Sequence, residues 1–265
     1  MKINKMMKGR AFAVCAAFGL MICTLNVAAA STAMSWYCKR MPDHRQPTLD
    51  TTMQWITEYD GYYLDTRLDE NSPERVVYLT FDAGYENGNV AKILDVLKAE
   101  QVSGAFFVLE HLIDANTELV LRMVEEGHLV CNHTCKHKDM TRVTSQEEFE
   151  RELHALETLF YEKTGHVMPK YYRPPEGKFS EENLRFAMAM GYKTIFWSFA
   201  YADWDNDRQP SPERAKQIIL DHVHNGAVLL LHPTSSTNAA VLGDVIRELK
   251  AQGYRFGTLN ELTAP

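Results

Sequence analysis

Six residues of the 265-residue chain have side chains that commonly act in hydrolysis: Asp82, His133, His137, Arg173, Asp203 and His232. Two imidazoles four residues apart bind one metal ion when the backbone between them makes a single turn. A carboxylate and a separate histidine supply a base and an acid for proton transfer. These residue types make the six residues candidates for a catalytic or metal-binding site.

Each of these residues also has a purely structural explanation. Asp82 fits a turn in which its side chain bonds to nearby backbone. His133 and His137 fit a polar surface loop, and His232 fits a buried histidine with satisfied hydrogen bonds. Arg173 fits an ion pair with an acidic residue on the rim, and Asp203 fits a helix cap. All six explanations would have to hold at once, so we favour a shared functional site.

The residues that must position this set form a repeated strand–helix pattern. Short apolar runs alternate with segments of helical periodicity, which predicts an α/β fold with a parallel sheet. An open doubly wound sheet and a barrel both fit. No Gly-x-Gly-x-x-Gly turn follows the first run, which favours a seven-stranded barrel. The predicted strands are 76–81, 105–109, 129–132, 171–173, 194–198, 227–231 and 254–258.

The caps of the predicted helices follow the same pattern. The helix after the third strand begins with Thr144 and Glu147 in a capping-box arrangement and ends at Gly165. The helix after the fifth strand begins at Ser211-Pro212.

The candidate residues all lie at or just after the carboxyl ends of the predicted strands. They are Asp82 after the first, His133 and His137 after the third, Arg173 at the end of the fourth, Asp203 after the fifth and His232 after the sixth. Barrel enzymes carry their chemistry on this face. The topology therefore predicts that residues far apart in sequence meet at one rim.

The N-terminus predicts export. A basic start, an apolar run over 11–27 and three alanines at 28–30 are typical of a signal peptide spanning 1–30. An uncleaved membrane anchor is the alternative, but the run is short and ends in small residues. Residues 31–72 are irregular and aromatic. They predict an N-terminal extension packed on a catalytic domain at 73–265.

The charge balance argues against nucleic acid as a partner. Without residues 1–30 the chain carries 24 basic and 35 acidic residues, a net charge of −11. Binding to phosphate groups needs clustered Lys and Arg.

Three cysteines remain after residue 30: Cys38, Cys131 and Cys135. This odd number predicts at least one free thiol rather than a disulfide framework. Cys131 and Cys135 alternate with His133 and His137, so a structural Cys/His zinc site is an alternative. We favour an inert core position for Cys131.

Five short segments carry a family resemblance. They are TFDAG at 80–84, NHTCKH at 132–137, RPPEG at 173–177, ADW at 202–204 and LLH at 230–232. In this order they resemble the motifs of the polysaccharide deacetylases, the NodB-homology or family 4 carbohydrate esterases, over nearly all of 76–265. The segments YENG at 85–88 and FWS at 196–198 are most similar to the delta-lactam-biosynthetic de-N-acetylases of spore-forming bacteria.

The resemblance implies a distorted seven-stranded barrel and a role for each candidate residue. The implied roles are general base for Asp82, metal ligands for His133 and His137, orientation of the base for Arg173, general acid for His232, and partner of that acid for Asp203. Leu230 and Trp204 match apolar walls around the acetyl methyl group, and the backbone N–H of Glu176 matches an oxyanion donor.

Two positions depart from the family pattern. A second aspartate, which is a metal ligand, usually follows the base, and Ala83 occupies that position here. The expected divalent cation, zinc, would then be held with Asp82 as a ligand, with water in the gap, or weakly. Glu176 stands where many members have tyrosine, but that role belongs to the backbone.

The resemblance implies deacetylation of N-acetylmuramic acid in a peptidoglycan glycan strand, on the way to muramic delta-lactam in the spore cortex. The expected protein is a secreted monomer in the cell wall or the space between the spore membranes. One alternative is deacetylation of N-acetylglucosamine in peptidoglycan or another glycan. The other is a non-catalytic glycan-binding relative whose metal site has decayed at Ala83.

Overall fold

The computed structural model describes residues 32–265, so the predicted signal peptide lies outside the described residues. The strands are β1 Met34–Ser35, β2 Gly61–Tyr62, β3 Arg75–Ala83, β4 Ala105–Val108, β5 Leu129–Asn132, β6 Tyr171–Tyr172, β7 Lys178–Phe179, β8 Lys193–Ile195, β9 Ala227–Leu231 and β10 Tyr254–Gly257. The helices are α1 Val90–Ala99, α2 Glu110–Ala115, α3 Thr117–Glu125, α4 Gln146–Thr164, α5 Glu181–Ala189, α6 Pro212–His222, α7 Ser236–Ala251 and α8 Leu259–Leu262. Short 3-10 helices span Thr51–Tyr59, Met140–Arg142 and Pro175–Gly177.

The main sheet is parallel and curls around β3. This strand pairs with β10 near its start, with β9 along its middle and with β4 at its end. From β4 the sheet continues through β5, β6 and β8. A parallel bridge between Phe199 and Leu229 links the chain after β8 to β9. The predicted seven-stranded parallel sheet of barrel type is therefore confirmed.

The alternation of side chains along β3 decides which residues face the site. Val77 and Leu79 pack in the cluster that includes α1 and α7 side chains, outside the sheet. Val76 and Tyr78 pack in a second cluster with residues of β4 and β8. Successive side chains of a strand point to opposite faces, so Asp82 shares the inner face with Tyr78.

The segment before β3 is built into the sheet. β2 pairs in parallel with β8 in the main sheet, whereas β1 pairs antiparallel with β7 in a separate two-stranded sheet. Trp36, Met53 and Ile56 are buried together with Phe179 and Phe196. In residues 32–265 no helix combines the length and the apolar character needed to cross a membrane.

Candidate active site

A cleft of about 620 Å³ opens at the carboxyl ends of the strands. It is lined by seven of the nine residues singled out from sequence: Asp82, His133, His137, Glu176, Trp204, Leu230 and His232. The other two, Arg173 and Asp203, are buried and bond to Asp82 and His232. The structure thus brings together side chains that lie up to 150 residues apart in sequence.

Arg173 fixes the carboxylate of Asp82 from below. Its Nη1 group donates to Asp82 Oδ1 at 2.8 Å, and Nη2 donates to Thr80 Oγ1 at 2.9 Å. Nε donates to the carbonyl oxygen of Ile195 at 2.9 Å. The guanidinium also lies 4.2 Å from the centre of the Phe107 ring, an arrangement favourable for a cation. These contacts leave Oδ2 of Asp82 for the cleft.

The pKa of Asp82 reflects two opposing effects. Burial alone would raise this pKa, because a charged carboxylate loses hydration. The positive charge of Arg173, with smaller contributions from His133 and His232, outweighs burial and holds the pKa below its usual value. Asp82 is therefore a carboxylate near neutral pH and is able to accept a proton.

His133 directs one ring nitrogen, Nε2, toward Oδ2 of Asp82. Its Nδ1 lies 2.8 Å from the carbonyl oxygen of Arg173, and because a carbonyl only accepts, Nδ1 carries the hydrogen. Burial lowers the pKa of His133 to about 4, so the ring is neutral near neutral pH. The Nε2 lone pair remains, 3.6 Å from Asp82 Oδ2.

These donors fit a divalent cation in type. Two ligand atoms about 2.0–2.1 Å from one tetrahedral ion stand roughly 3.4 Å apart, close to the 3.6 Å between His133 Nε2 and Asp82 Oδ2. The His137 ring centre lies 5.1 Å from that of His133. No closed group of three or more His, Cys, Asp and Glu side chains occurs among residues 32–265. Since Ala83 has no donor, the two imidazoles are the metal-ligand groups present, and Oδ2 of Asp82 lies beside them.

The Cys/His alternative does not fit the described residues. Cys38, Cys131 and Cys135 are all free thiols. Cys131 is completely buried in the inner apolar cluster, and burial raises the pKa of its thiol far above neutrality. Burial raises the pKa of Cys135 to about 11. Cys131 and Cys135 pack in different apolar clusters, and no group of three or more His, Cys, Asp and Glu side chains gathers around either sulfur in the described part of the chain, which favours an inert core role for Cys131.

His232 and Asp203 form the second polar unit of the cleft. Nδ1 of His232 lies 2.7 Å from Asp203 Oδ1, and the backbone N–H of His232 donates to Asp203 Oδ2 at 2.8 Å. Burial lowers the pKa of His232, but the hydrogen bond and the charge of Asp203 raise it more, so the net pKa lies above the usual value. The Trp204 ring lies edge-on to the His232 ring, with centres 6.2 Å apart.

The loops that line the cleft contain strained backbone. Thr134, His137 and Glu176 have left-handed φ values of 70°, 56° and 56°. Such conformations are costly for residues other than glycine and cluster at functional sites. Gly177 follows with φ 65°, and a Cβ atom there would lie 2.8 Å from the Trp197 ring. This close packing holds the backbone of Glu176 at the cleft wall.

Sequence reasoning missed two groups that support the site. Thr80 accepts a hydrogen bond from Arg173, and its position two residues before Asp82 on β3 is a signal that strand alternation offers. Asn238 of α7 donates to Asp203 Oδ2 at 2.6 Å. Nothing near Asn238 in sequence points to this contact, because it joins residues that only the fold brings together.

Comparison with known proteins agrees with the geometry. The profile of the polysaccharide deacetylase family matches residues 69–195. The chain is 39% identical over 230 residues to the peptidoglycan-N-acetylmuramic acid deacetylase PdaA of Bacillus subtilis, covering 86% of this chain and 85% of that protein. It is 34% identical over 186 residues to the peptidoglycan-N-acetylglucosamine deacetylase PgdA of Listeria monocytogenes, covering 70% of this chain and 38% of that protein.

A solved structure gives the same result. The structure of Bacillus subtilis PdaA, a family 4 carbohydrate esterase, superimposes with a TM-score of 0.81 at 38% identity. The match covers 87% of this chain and 96% of that chain. This chain therefore belongs to the polysaccharide deacetylase family, the family 4 carbohydrate esterases, and is a hydrolytic N-deacetylase.

Proposed function

We propose that this N-deacetylase removes the acetyl group from N-acetylmuramic acid in peptidoglycan, on the way to muramic delta-lactam in the spore cortex. The observation that carries the proposal is similarity to PdaA over 86% of this chain. A cleft that holds both the Asp82 carboxylate and the His232 imidazole supports it.

Amide hydrolysis needs an activated water, a stabilised oxyanion and a proton for the leaving amine. We assign the first task to Asp82, which would accept a proton from the attacking water through Oδ2 while Arg173 holds Oδ1. His133 and His137 would hold a divalent cation, with zinc as the proposed ion. When bound, this cation supplies Lewis acidity to the acetyl carbonyl and lowers the pKa of a coordinated water.

His232 is the proposed acid. Asp203 accepts from Nδ1, so the opposite ring nitrogen of protonated His232 carries the proton that the departing amine requires. Asp203 raises the pKa of His232 above its usual value, which favours the protonated ring that this step requires. The amine would leave with that proton, and acetate would be the second product.

The remaining cleft residues have proposed binding roles. The backbone N–H of Glu176 would donate to the oxyanion, since preorganised N–H groups stabilise developing negative charge. Leu230, which is buried, and Trp204, which is exposed, would enclose the acetyl methyl group. The Glu176 side chain forms an ion pair with Lys178, with 2.6 Å between Oε2 and Nζ. The proposed oxyanion role therefore involves only the backbone of Glu176.

We further propose the domain arrangement and the cellular site. Residues 1–30 would direct export and be removed, 31–72 would form an extension, and 73–265 would be the catalytic domain. Contacts between Trp36 and Phe196 support an extension that packs on the catalytic domain. A secreted protein would meet peptidoglycan in the cell wall or between the spore membranes.

Two other functions remain candidates because specific observations favour them. The 34% identity to a peptidoglycan-N-acetylglucosamine deacetylase favours removal of acetyl groups from glucosamine. The replacement of a usual metal ligand by Ala83 favours a non-catalytic glycan binder. The intact pairs formed by Asp82 with Arg173 and by His232 with Asp203 weigh against the binder, which would need neither.

Mass spectrometry of defined peptidoglycan fragments, with and without peptide stems, separates these functions. We expect the protein to remove one acetyl group from muramic acid, and the His232→Ala variant to leave the fragments intact. Loss of acetyl groups from glucosamine alone would transfer the assignment to the second function. If the zinc-loaded wild-type protein left the fragments intact, the non-catalytic glycan-binding function would be the one supported. A further loss of water would show that the lactam ring also closes.

A further inference from the structure

Asn238 is a buried amide that the catalytic assignment does not use. Its side chain is 1% exposed and lies in the first turn of α7. Nδ2 donates to Asp203 Oδ2 at 2.6 Å and to the carbonyl oxygen of His232 at 3.0 Å. One amide group therefore contacts both members of the proposed acid unit.

The orientation of this amide is fixed from the other side. The hydroxyl group of Tyr201 donates to Oδ1 of Asn238. Burial raises the pKa of Tyr201 far above its usual value, so the hydroxyl keeps its proton. Since the Asn238 oxygen accepts from Tyr201, its NH₂ group must face Asp203.

Three N–H donors converge on Asp203. They are Nδ2 of Asn238, the backbone N–H of His232 and Nδ1 of His232. Asp203 acts as the acceptor toward each, which places the hydrogen of the His232 pair on Nδ1 and directs Nε2 to the cleft. Without Asn238, Oδ2 would lose one of its two donors and only the two bonds from His232 would hold the carboxylate, so its orientation would be less firmly fixed.

We propose that Asn238 is a positioning residue for the acid step, in which it fixes the Asp203 carboxylate and thereby the orientation and tautomer of His232. The inference rests on the proposed role of His232 and extends it to a residue of α7. Asn238 is not among the residues that line the cleft, so it acts through Asp203.

The charged groups that act on His232 are Asp203, Asp82 and Arg173. Asn238→Ala leaves all three in the protein and changes only how firmly Asp203 is held. The expected loss in kcat is about 10–100-fold, as for other residues that orient a catalytic group. KM stays near the wild-type value. In the pH profile of kcat, the alkaline limb should move to lower pH by about one unit, roughly the effect of one lost hydrogen bond.

Asn183 provides a matched control. It is 2% exposed and lies at the same place in α5, three residues after a serine N-cap. The Ser180 side chain accepts from the N–H of Asn183 as Ser235 accepts from that of Asn238. Asn183 bonds to Val143 and contacts neither Asp203 nor His232. Asn183→Ala should lower the free energy of unfolding by a similar amount and leave the pH profile unchanged.

The experiment combines the pH dependence of acetate release with ¹⁵N NMR titration of His232, which needs no activity. In Asn238→Ala, the pH midpoint of the alkaline limb of acetate release and the midpoint of the His232 NMR titration should both fall. Tyr201→Phe should shift both midpoints less, in the same direction. An unchanged His232 midpoint in Asn238→Ala, or an equal shift in Asn183→Ala, would overturn the proposal. If the wild type released no acetate, the proposed function would fail, while the NMR titration would still decide the role of Asn238.

Discussion

Arg173 is completely buried, and its guanidinium holds Oδ1 of Asp82 at 2.8 Å while Oδ2 of the same carboxylate faces His133 at 3.6 Å. The two oxygens of one side chain thus have separate tasks. Oδ1 is bound by the guanidinium of Arg173, and Oδ2 is available to the cleft. Two further hydrogen bonds of Arg173, to Thr80 and to the carbonyl of Ile195, fix the position of the guanidinium.

The Arg173–Asp82 pair predicts a large effect on stability. Arg173→Ala leaves Asp82 as an uncompensated buried charge, and we expect the free energy of unfolding to fall by about 3–5 kcal/mol. Denaturant unfolding measures this change. Arg185 is half-exposed and pairs with Glu182, so Arg185→Ala should cost less than about 1 kcal/mol. Equal losses in the two variants would contradict the role of the buried pair.

The Asp203–His232 pair predicts the direction of the pH dependence. Asp203 raises the pKa of His232, so the acid form persists above the usual pKa of histidine and is lost as pH rises through the raised value. In Asp203→Asn the charge is absent and the alkaline limb of kcat should move to lower pH, with turnover reduced about 100-fold or more. A pH profile of acetate release tests this. A limb that stays in place would show that His232 is not the acid.

The two cleft histidines predict dependence on a divalent cation. A chelator should abolish acetate release, and zinc should restore it. His133→Ala should lower zinc affinity at least about 10-fold in a calorimetric titration. Because protonation blocks the ligand nitrogen, zinc affinity should also fall as pH drops toward about 4, the lowered pKa of His133.

A second buried histidine serves as the control for the metal prediction. His128 is buried, and burial lowers its pKa to about 4, but it bonds to the backbone of Gly104 away from the cleft. His128→Ala should leave zinc affinity unchanged. Equal affinity in His133→Ala and the wild type would contradict the assigned ligands.

Trp36 predicts that the N-terminal segment supports the cleft. Its backbone N–H donates to the carbonyl of Gly177 at 2.8 Å, and its indole N–H donates to that of Trp197 at 2.9 Å. Trp36→Ala removes a buried aromatic side chain and should cost about 3–5 kcal/mol of unfolding free energy. Turnover should also fall, because Trp36 holds the carbonyl of Gly177, and Gly177 directly follows Glu176, whose backbone N–H is the proposed oxyanion donor. Tyr37→Ala, at a more exposed neighbour, should change neither property much.

The strand pattern was readable from sequence because buried parallel strands are continuous apolar runs with polar residues at their ends. All seven predicted runs are strands, although β4, β6 and β10 end one residue earlier than predicted and β8 ends three residues earlier. After β8, Phe196 bonds to β2 through Tyr62, a pairing that joins distant residues and leaves no local signal.

The predicted helix caps were nearly right. α4 ends at Gly165 in the left-handed conformation and α6 begins with Ser211-Pro212, as expected. The start of α4 was wrong by one residue. Ser145, rather than Thr144, caps the helix and accepts from the N–H of Glu148. Both residues are good caps with a glutamate three positions later, so the local pattern does not distinguish them.

The candidate site was readable in part. The ordered motifs predicted which residues line the cleft, because the topology of a parallel sheet gathers strand ends at one rim. The contacts of Asn238 with Asp203 were not predicted, since a buried asparagine in a helix has no characteristic spacing. The strained backbone of Glu176 was also invisible in sequence, as left-handed φ values are disfavoured for most residues.

Acetate release from purified glycan strands by the zinc-loaded wild type and by Asp82→Asn, measured side by side, tests the central claim most directly. Asparagine keeps the size of the side chain but cannot accept the proton, so we expect the rate to fall about 100-fold or more while circular dichroism shows an intact fold. A variant that folds and releases acetate at the wild-type rate would contradict the assignment of Asp82 as the base.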